Sequence, residues 1–309
     1  MTAHNAPTRQ QGVAVVLAMG VVAFAAMTAT ALMVSQSTWS RQHELAAGHT
    51  QAQTLIGAGV DWARAVLSDD RRLGGVDHLG EPWALRLPPM PVDNGELSGY
   101  IEDRQGAFNL NNLIRDGKVV PAQIDVFRRL LSILSLPADL ADALADWIDS
   151  DGEPQLSNGA EDAYYLGLQP PYRTANRPLT DVAELALVRG FDDRARARLR
   201  PFITALPRFT AVNVNTATPE VLAAVIDGLD LDQAVALAAH RDRTYFRDTA
   251  DFNSRAPREI KVPADSITVS SSYFMVTLRV TIGPAEARGV ALLARENAGW
   301  PVVVWRKFL

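Results

Sequence analysis

Hydrophobic and polar positions divide the chain into stretches of different period. From Val13 to Val34 the run is uncharged and largely apolar, long enough to cross a bilayer as a helix, which takes about 20 such residues. No proline follows between Ser35 and Leu67, where Trp39, Leu45, Leu55, Ile56, Val60, Ala63 and Leu67 recur at mostly helical separations. The pattern predicts one long helix, its first half in the membrane and its second half packed on a soluble domain. Gly57 and Gly59 lie inside it, each costing about 1 kcal/mol relative to Ala, and predict a local bend.

Gly74 to Pro91 is rich in Gly and Pro and reads as irregular linker. Leu97 to Asp103 and Ala107 to Leu110 read as two short strands around the turn Arg104-Gln105-Gly106. Strand-forming residues gather again only near the end, in Ser266 to Thr281, Gly289 to Arg295 and Val302 to Phe308. Turns at Gly283-Pro284 and Asn297-Ala298-Gly299 join these into an expected antiparallel meander. Between about Asn111 and Arg258 the period is helical instead. The expected class is therefore α+β: an anchoring helix at 13–34, a small antiparallel sheet built from 35–110 and 259–309, and an all-α domain, 111–258, inserted between its strands. Three stretches of that domain repeat a helix, a turn and a second helix. They are Leu130 to Ile148 turning at Leu136-Pro137, Val182 to Ile203 turning at Arg189-Gly190-Phe191, and Val221 to Ala239 turning at Gly228-Leu229-Asp230. Such hairpins resemble helix-hairpin-helix or sterile-alpha-motif-like (SAM-like) units.

Charge narrows what the hairpins do. DNA-binding versions present backbone amides and cations to phosphate, whereas the last turn here carries Asp227, Asp230 and Asp232 in a chain of net charge −5. No nucleic-acid partner is expected, and the hairpins read as scaffold. The 309 residues include no cysteine, so an oxidising compartment would leave packing, or packing with a metal, to stabilise the fold.

The acidic residues cluster most between Leu130 and Tyr172, where Asp139, Asp142, Asp146, Asp149, Asp151, Glu153, Glu161 and Asp162 occur without any Lys, Arg or His. Carboxylates so placed repel one another unless a cation or water offsets them, and Ca²⁺ takes 6–8 oxygen ligands from such loops. Asp149 and Asp151 project from one side of the loop containing Gly152, Pro154, Ser157, Asn158 and Gly159, and Glu161 and Asp162 from its return. Asp146 and Glu153 are the weaker candidates. The spacing is not that of an EF-hand, since Pro154 and Ala160 occupy the places of the invariant Gly and the closing Glu. A solvated acidic loop is the alternative reading.

No catalytic grouping accompanies this loop. His4, His43, His49, His78 and His240 lack metal-ligand spacing, and no nucleophile motif or phosphate-binding Gly motif appears. Asp149 with Glu161 would serve glycoside hydrolysis only if a substrate cleft joined them, and no motif marks one. The chain is expected not to be an enzyme.

The apolar run is preceded by a short leader that ends Gln10-Gln11-Gly12 and holds one basic residue, Arg9. A secretory signal has a shorter apolar core, with its small-residue cleavage site beyond it. Ala29-Thr30-Ala31 does fit that pattern, which keeps open a secreted calcium-binding hydrolase with its signal cut after Ala31. Glycine ahead of the apolar run instead resembles the prepilin signal of type IV pilins and pseudopilins. Leu17 stands at the fifth position after Gly12, where most of those proteins have Glu. That departure, with Asp149-Ser150-Asp151, Gly159 to Tyr165, Pro170-Pro171-Tyr172 and Asn213-Val214-Asn215-Thr216, resembles the K family of minor pseudopilins of type II secretion (general secretion pathway protein K).

The resemblance implies a chain cut after Gly12 by a prepilin peptidase and methylated at Val13. Loss of Arg9 with the leader would take the net charge from −5 to −6. It implies a pilin-like sheet, calcium on the acidic loop, and a single-pass inner-membrane protein with its bulk in the periplasm. Minor pseudopilins I and J, the major pseudopilin and the inner-membrane secretion platform are the implied partners, with this subunit at the pseudopilus tip.

Overall fold

The computed structural model describes residues 11–154, 159–257, 260, 262, 265–296 and 299–309. Most of the expected leader, including Arg9, lies outside the described residues, as do Ser157, Asn158, Arg258, Asn297 and Ala298. The first element is α1 (Gln11–Leu73), one helix of 63 residues, about 95 Å long at 1.5 Å per residue. Over its apolar part an 18-residue window reaches a mean hydropathy of 2.3 with none of it buried. Val13, Leu17, Phe24 and Met33 are all exposed there, a surface that hydrocarbon solvates and water does not.

The second half of α1 lies on an antiparallel sheet. Ahead of the helical insert come β1 (Leu87–Val92) and β2 (Gly95–Asp103). The insert holds pairs of two-residue strands: β3 (Phe108–Asn109), β4 (Ile114–Arg115), β5 (Lys118–Val119), β6 (Ile203–Thr204), β7 (Val212–Asn213) and β8 (Ile267–Thr268). Beyond it β9 (Tyr273–Ile282), β10 (Ala285–Ala294) and β11 (Val302–Phe308) form the expected meander. The main sheet has the order β1-β2-β9-β10-β11. Alternation sends Leu97, Ile101, Phe274, Val276, Leu278, Ala291 and Leu293 to one face, where they pack on Ala52, Ile56, Val60, Ala63 and Leu67 of α1.

Several expectations change. Residues 87–91, the end of the stretch read as linker, form with Val92 an edge strand, which tolerates Pro88, Pro89 and Pro91 because one side of it needs no donors. Phe108–Asn109 does not return along β2 but pairs in parallel with Ile203–Thr204. The stretch from Ser266 is two strands: Ile267–Thr268 pairs with Val212–Asn213, and β9 begins at Tyr273. The chain therefore leaves the main sheet after Asp103 and rejoins it at Tyr273, a wider gap than the periodicity over 111–258 indicated. No break falls at Gly57 or Gly59 either. A Cβ at Gly59 would stand 2.7 Å from Leu278 Cδ1, so this glycine allows the close approach of helix to sheet.

The insert builds its own core. It contains α2 (Pro121–Ile133), α3 (Leu140–Ile148), the single turn α4 (Asp162–Tyr165), α5 (Asp193–Leu199), α6 (Pro219–Val225), α7 (Leu231–Arg241) and α8 (Thr249–Arg255). The three expected hairpins are present, the second opening with the 3-10 turn Val182–Leu187 in place of a full helix. Phe127, Leu130, Leu144, Trp147, Leu185, Leu222 and Phe252 share one cluster.

Buried asparagines tie this body to the sheet. Asn213 Nδ2 donates to Asp103 Oδ2 (3.0 Å) and to the Asp77 carbonyl (3.1 Å), while Thr216 Oγ1 and Ser271 Oγ donate to the same Asp103 oxygen (2.5 and 2.6 Å). Asn215 exchanges two hydrogen bonds with the backbone of Phe246 (2.8 and 2.9 Å). Asn111 and Asn112 likewise bond the backbone at Leu179 and Thr210. An amide offers the same donor and acceptor as a peptide group, which lets these residues satisfy buried backbone where no regular ladder runs.

Candidate metal centre

Two carboxylates of the acidic loop are buried at the end of α3. Asp149 follows the last helical residue, its N–H donating to Ala145 O at 2.9 Å. Ser150 fastens the next step to the β4–β5 turn, its N–H and Oγ each 3.0 Å from Gly117 O. The returning chain is held by Arg189, whose Nη1 donates to Gly159 O (3.2 Å) and whose N–H donates to Tyr165 Oη (3.1 Å). Trp147 makes edge contacts with the rings of Tyr165 and Tyr172, which packs the end of α3 against the returning chain.

This framework brings Asp149, Asp151 and Glu161 together, with one oxygen of each within 4.8 Å of the others. Ca²⁺–O distances are about 2.3–2.6 Å, so two oxygens sharing an ion stand no farther apart than roughly that spacing. Asp149 has no exposed surface and Glu161 only 5 %, yet neither oxygen of either carboxylate has a hydrogen-bond partner. Burial, with the charges of Asp151 and Asp146, pushes Asp149 up to about 7; the nearby N–H of Asp151 opposes that rise without completing a hydrogen bond. Burial also pushes Glu161 to about 7, helped by Asp146, Asp149, Asp151 and Asp162. The carbonyl end of α3 adds negative potential at the same place. Four orphaned oxygens in such a field are costly unless a cation joins them, and this all-oxygen set suits a hard ion such as calcium.

The weaker candidates take other positions. Glu153 contributes its N–H to Asp151 Oδ1 (2.9 Å), its carboxylate lying outside the three-residue group. Asp146 is fully buried on α3 and acts on the group through its charge. Asp162 turns to Thr174, whose Oγ1 and N–H donate to Oδ1 (2.9 and 3.0 Å) and hold its carboxyl below the ordinary range, and it pairs with Arg173. Its role is to brace the return of the loop, apart from the cluster. Gly12, Val13 and Leu17 lie in the first turns of α1 with exposed side-chain positions.

A second group of carboxylates, Asp70, Asp77 and Glu81, was not legible in the sequence. It differs because the guanidinium of Arg295 satisfies it, donating to Asp70 Oδ2 at 2.7 Å and ion-pairing with Asp77. Glu81 accepts from the His78 N–H (2.8 Å) and Trp83 Nε1 (2.7 Å), though burial still pushes it to about 7. Arg295 lies 218 residues beyond Asp77, so no local spacing announces the pair.

A long exposed apolar helix, an antiparallel sheet and a helical insert define a structural subunit with one segment long and apolar enough for a membrane among the described residues. Residues 106–208 and 212–270 match two family models, both described as Type II secretion system (T2SS), protein K. The chain is 38% identical over 302 residues to the Type II secretion system protein K of Pseudomonas aeruginosa, covering 94% of this chain and 90% of that one. It is 33% identical over 312 residues to the protein of the same name from Klebsiella pneumoniae, covering 96% and 95%. A chain in the crystal structure of the GspK-GspI-GspJ complex from enterotoxigenic Escherichia coli aligns with a TM-score of 0.75 at 26% identity, covering 88% of this chain and 99% of that chain. These likenesses make it a minor pseudopilin, a structural component of type II secretion, and do not favour the secreted hydrolase cut after Ala31. The chain belongs to the type II secretion system protein K family.

Proposed function

We propose that the chain is cut after Gly12, methylated at Val13, and assembles from the inner membrane with minor pseudopilins I and J at the tip of a periplasmic pseudopilus. The observation that carries this reading is α1, apolar and uncovered over its first half and packed on the sheet over its second. The bare half needs lipid first and neighbouring helices afterwards. Leu17 supplies no carboxylate to pair with the N-terminal ammonium of an adjacent subunit, and the insert adds bulk beside the sheet; both suit a terminal position above the major pseudopilin. The helix pairs act as SAM-like scaffold. Export of folded proteins follows from assembly on the inner-membrane platform, with no reaction at this subunit.

Calcium is the proposed resident ion, held by Asp149, Asp151 and Glu161, with water completing a shell of 6–8 oxygens. When bound it supplies charge neutralisation and no chemistry. Closure around it fixes the end of α3 to the segment returning into α4, stabilising the insert by mass action.

The test is the N-terminal residue of protein recovered from cells with and without a co-expressed prepilin peptidase. Methylated Val13 is expected only with the peptidase; a terminus at Leu32 in either case overturns the assembly route. Calorimetry with Asp151→Ala and Glu161→Ala tests the ion separately: the parent should bind calcium and both variants should lose most of that binding.

A further inference from the structure

The two edges of the main sheet are built differently. β1 carries Pro88, Pro89 and Pro91, so half of its six residues lack an N–H, and its pairing with β2 is irregular between Leu87 and Met90. Such an edge resists addition of another strand. β11, at the other edge, reads Val302-Val303-Val304-Trp305-Arg306-Lys307-Phe308 and contains no proline. Val302 and Val304 are 64% and 40% exposed, and Phe308 44%.

The backbone of β11 is held in place with one side unused. Arg64 Nε donates to Pro301 O at 2.7 Å, fixing its start to α1, and Lys307 pairs with Asp181 of the insert. The Leu309 N–H donates to Arg288 O at 3.0 Å. With Phe308 opposite Gly289 and Lys307 opposite Val290, alternation directs Lys307 and Trp305 toward β10 and leaves the N–H and C=O of Arg306 and Phe308 facing outward. Arg306 makes no ion pair among the described residues and lies over the Phe308 ring, its Cζ 5.3 Å from the centroid. Its guanidinium stands on the α1 face of this edge, Nη1 3.4 Å from where a Cβ on Gly57 would be, so a cation flanks the open strand on a chain whose overall charge is −5.

We propose that β11 accepts an added strand from a neighbouring minor pseudopilin, an extended segment in which β-branched residues alternate with carboxylates and one carboxylate meets Arg306. Main-chain bonds to the Arg306 and Phe308 peptide groups give affinity, and the valine row with the arginine gives register. This rests on the assembly reading above. A second copy of this chain would bring Arg306 near its own counterpart in an antiparallel edge pair, which the like charges disfavour.

The experiment uses the full chain in detergent micelles, titrated with the purified minor pseudopilins I and J of the same secretion system. Arg306→Pro removes one outward donor together with the guanidinium while leaving the bonds to β10 in place, and should weaken the complex by more than the roughly tenfold expected of one lost hydrogen bond. Arg306→Glu should weaken it at least as much, and Arg306→Ala less than either, with melting temperatures unchanged. In the parent complex, amide-resolved hydrogen exchange should slow at Arg306 and Phe308, whereas Trp305 and Lys307 should already be slow in the free chain. Unchanged exchange at Arg306 and Phe308, or equal binding by parent and all variants, overturns the inference while leaving the assembly reading standing. Self-association through β11 in the parent also overturns it. No complex with I or J by the parent overturns both.

Discussion

Replacing Asp149 with asparagine should change the stability of the protein in opposite directions with and without calcium. The carboxyl is fully covered and sits at about 7 against an ordinary 3.8. At pH 8, where it is ionised in both folded and unfolded chains, that rise sets a ceiling of about 4 kcal/mol on what the bare charge costs the fold. The layer covering it is thin, being a loop rather than a core, so about 1–3 kcal/mol is the working figure. The folded pKa exceeds the unfolded one; the metal-free parent therefore gains stability as pH falls from about 7 toward 4 and is least stable above 7. The neutral amide removes the share of this dependence that belongs to Asp149, leaving that of Glu161, and in chelator at pH 8 the variant should melt several degrees above the parent, at about 2–4 °C per kcal/mol. Calcium should reverse the order. An ion at 100 times its Kd stabilises by about 2.7 kcal/mol, which the parent receives and the variant largely forfeits. Thermal melts of both proteins in chelator and in 1 mM calcium, followed by circular dichroism, decide it. A variant that melts below the parent in chelator, or that gains as much from calcium, refutes the reasoning.

Calcium affinity should fall with acidification below pH 7, because Asp149 and Glu161 must each release a proton, up to about tenfold per pH unit for each; calorimetry at pH 7.5, 6.5 and 5.5 should trace the slope, and a flat profile would remove both from the ligand set. Asn213→Ala leaves the Asp77 carbonyl and the Asn215 N–H without their side-chain partner and takes one of three donors from Asp103 Oδ2, and should cost about 2–4 kcal/mol in denaturant titrations. Gly289→Ala places a Cβ 2.4 Å from Ile56 Cγ2 and should destabilise by about 1–3 kcal/mol; adding Ile56→Ala should recover part of that loss, a non-additivity absent if the two do not touch. Arg295→Met leaves Asp77 and Asp70 facing each other without their cation and should cost about 3–5 kcal/mol at pH 8, less as pH falls and Asp77, which burial already pushes above the ordinary carboxylate range, takes up a proton.

Local periodicity determined a great deal of this protein. The uncharged run after Val13, the helical spacing of Ile56, Val60, Ala63 and Leu67, and the β-branched density near the end each reflect a side-chain period that a helix or strand imposes on its own residues. The meander and the helix pairs were legible for that reason, as were Asp149, Asp151 and Glu161, whose chemistry lies within thirteen positions of chain. The sequence also marked Asn213 and Asn215 as part of a motif without revealing their work, since an amide's partners do not follow from its neighbours.

The tertiary structure decided what depends on partners far away in the chain. Which short strands pair is one such matter: Phe108–Asn109 meets Ile203–Thr204 and Ile267–Thr268 meets Val212–Asn213, two-residue contacts too brief to leave a period. The fate of each carboxylate is another. Asp162 found Thr174, Asp70 and Asp77 found Arg295, and among the described residues Asp149 and Glu161 were the buried carboxylates left with bare oxygens, a distinction set by burial and long-range neighbours and invisible in a count of acidic residues. The glycines followed the same rule: Gly59 looked like a weak point of a helix and proved to be where helix and sheet come close, because the cost of a missing side chain is local and its benefit belongs to the surface across from it.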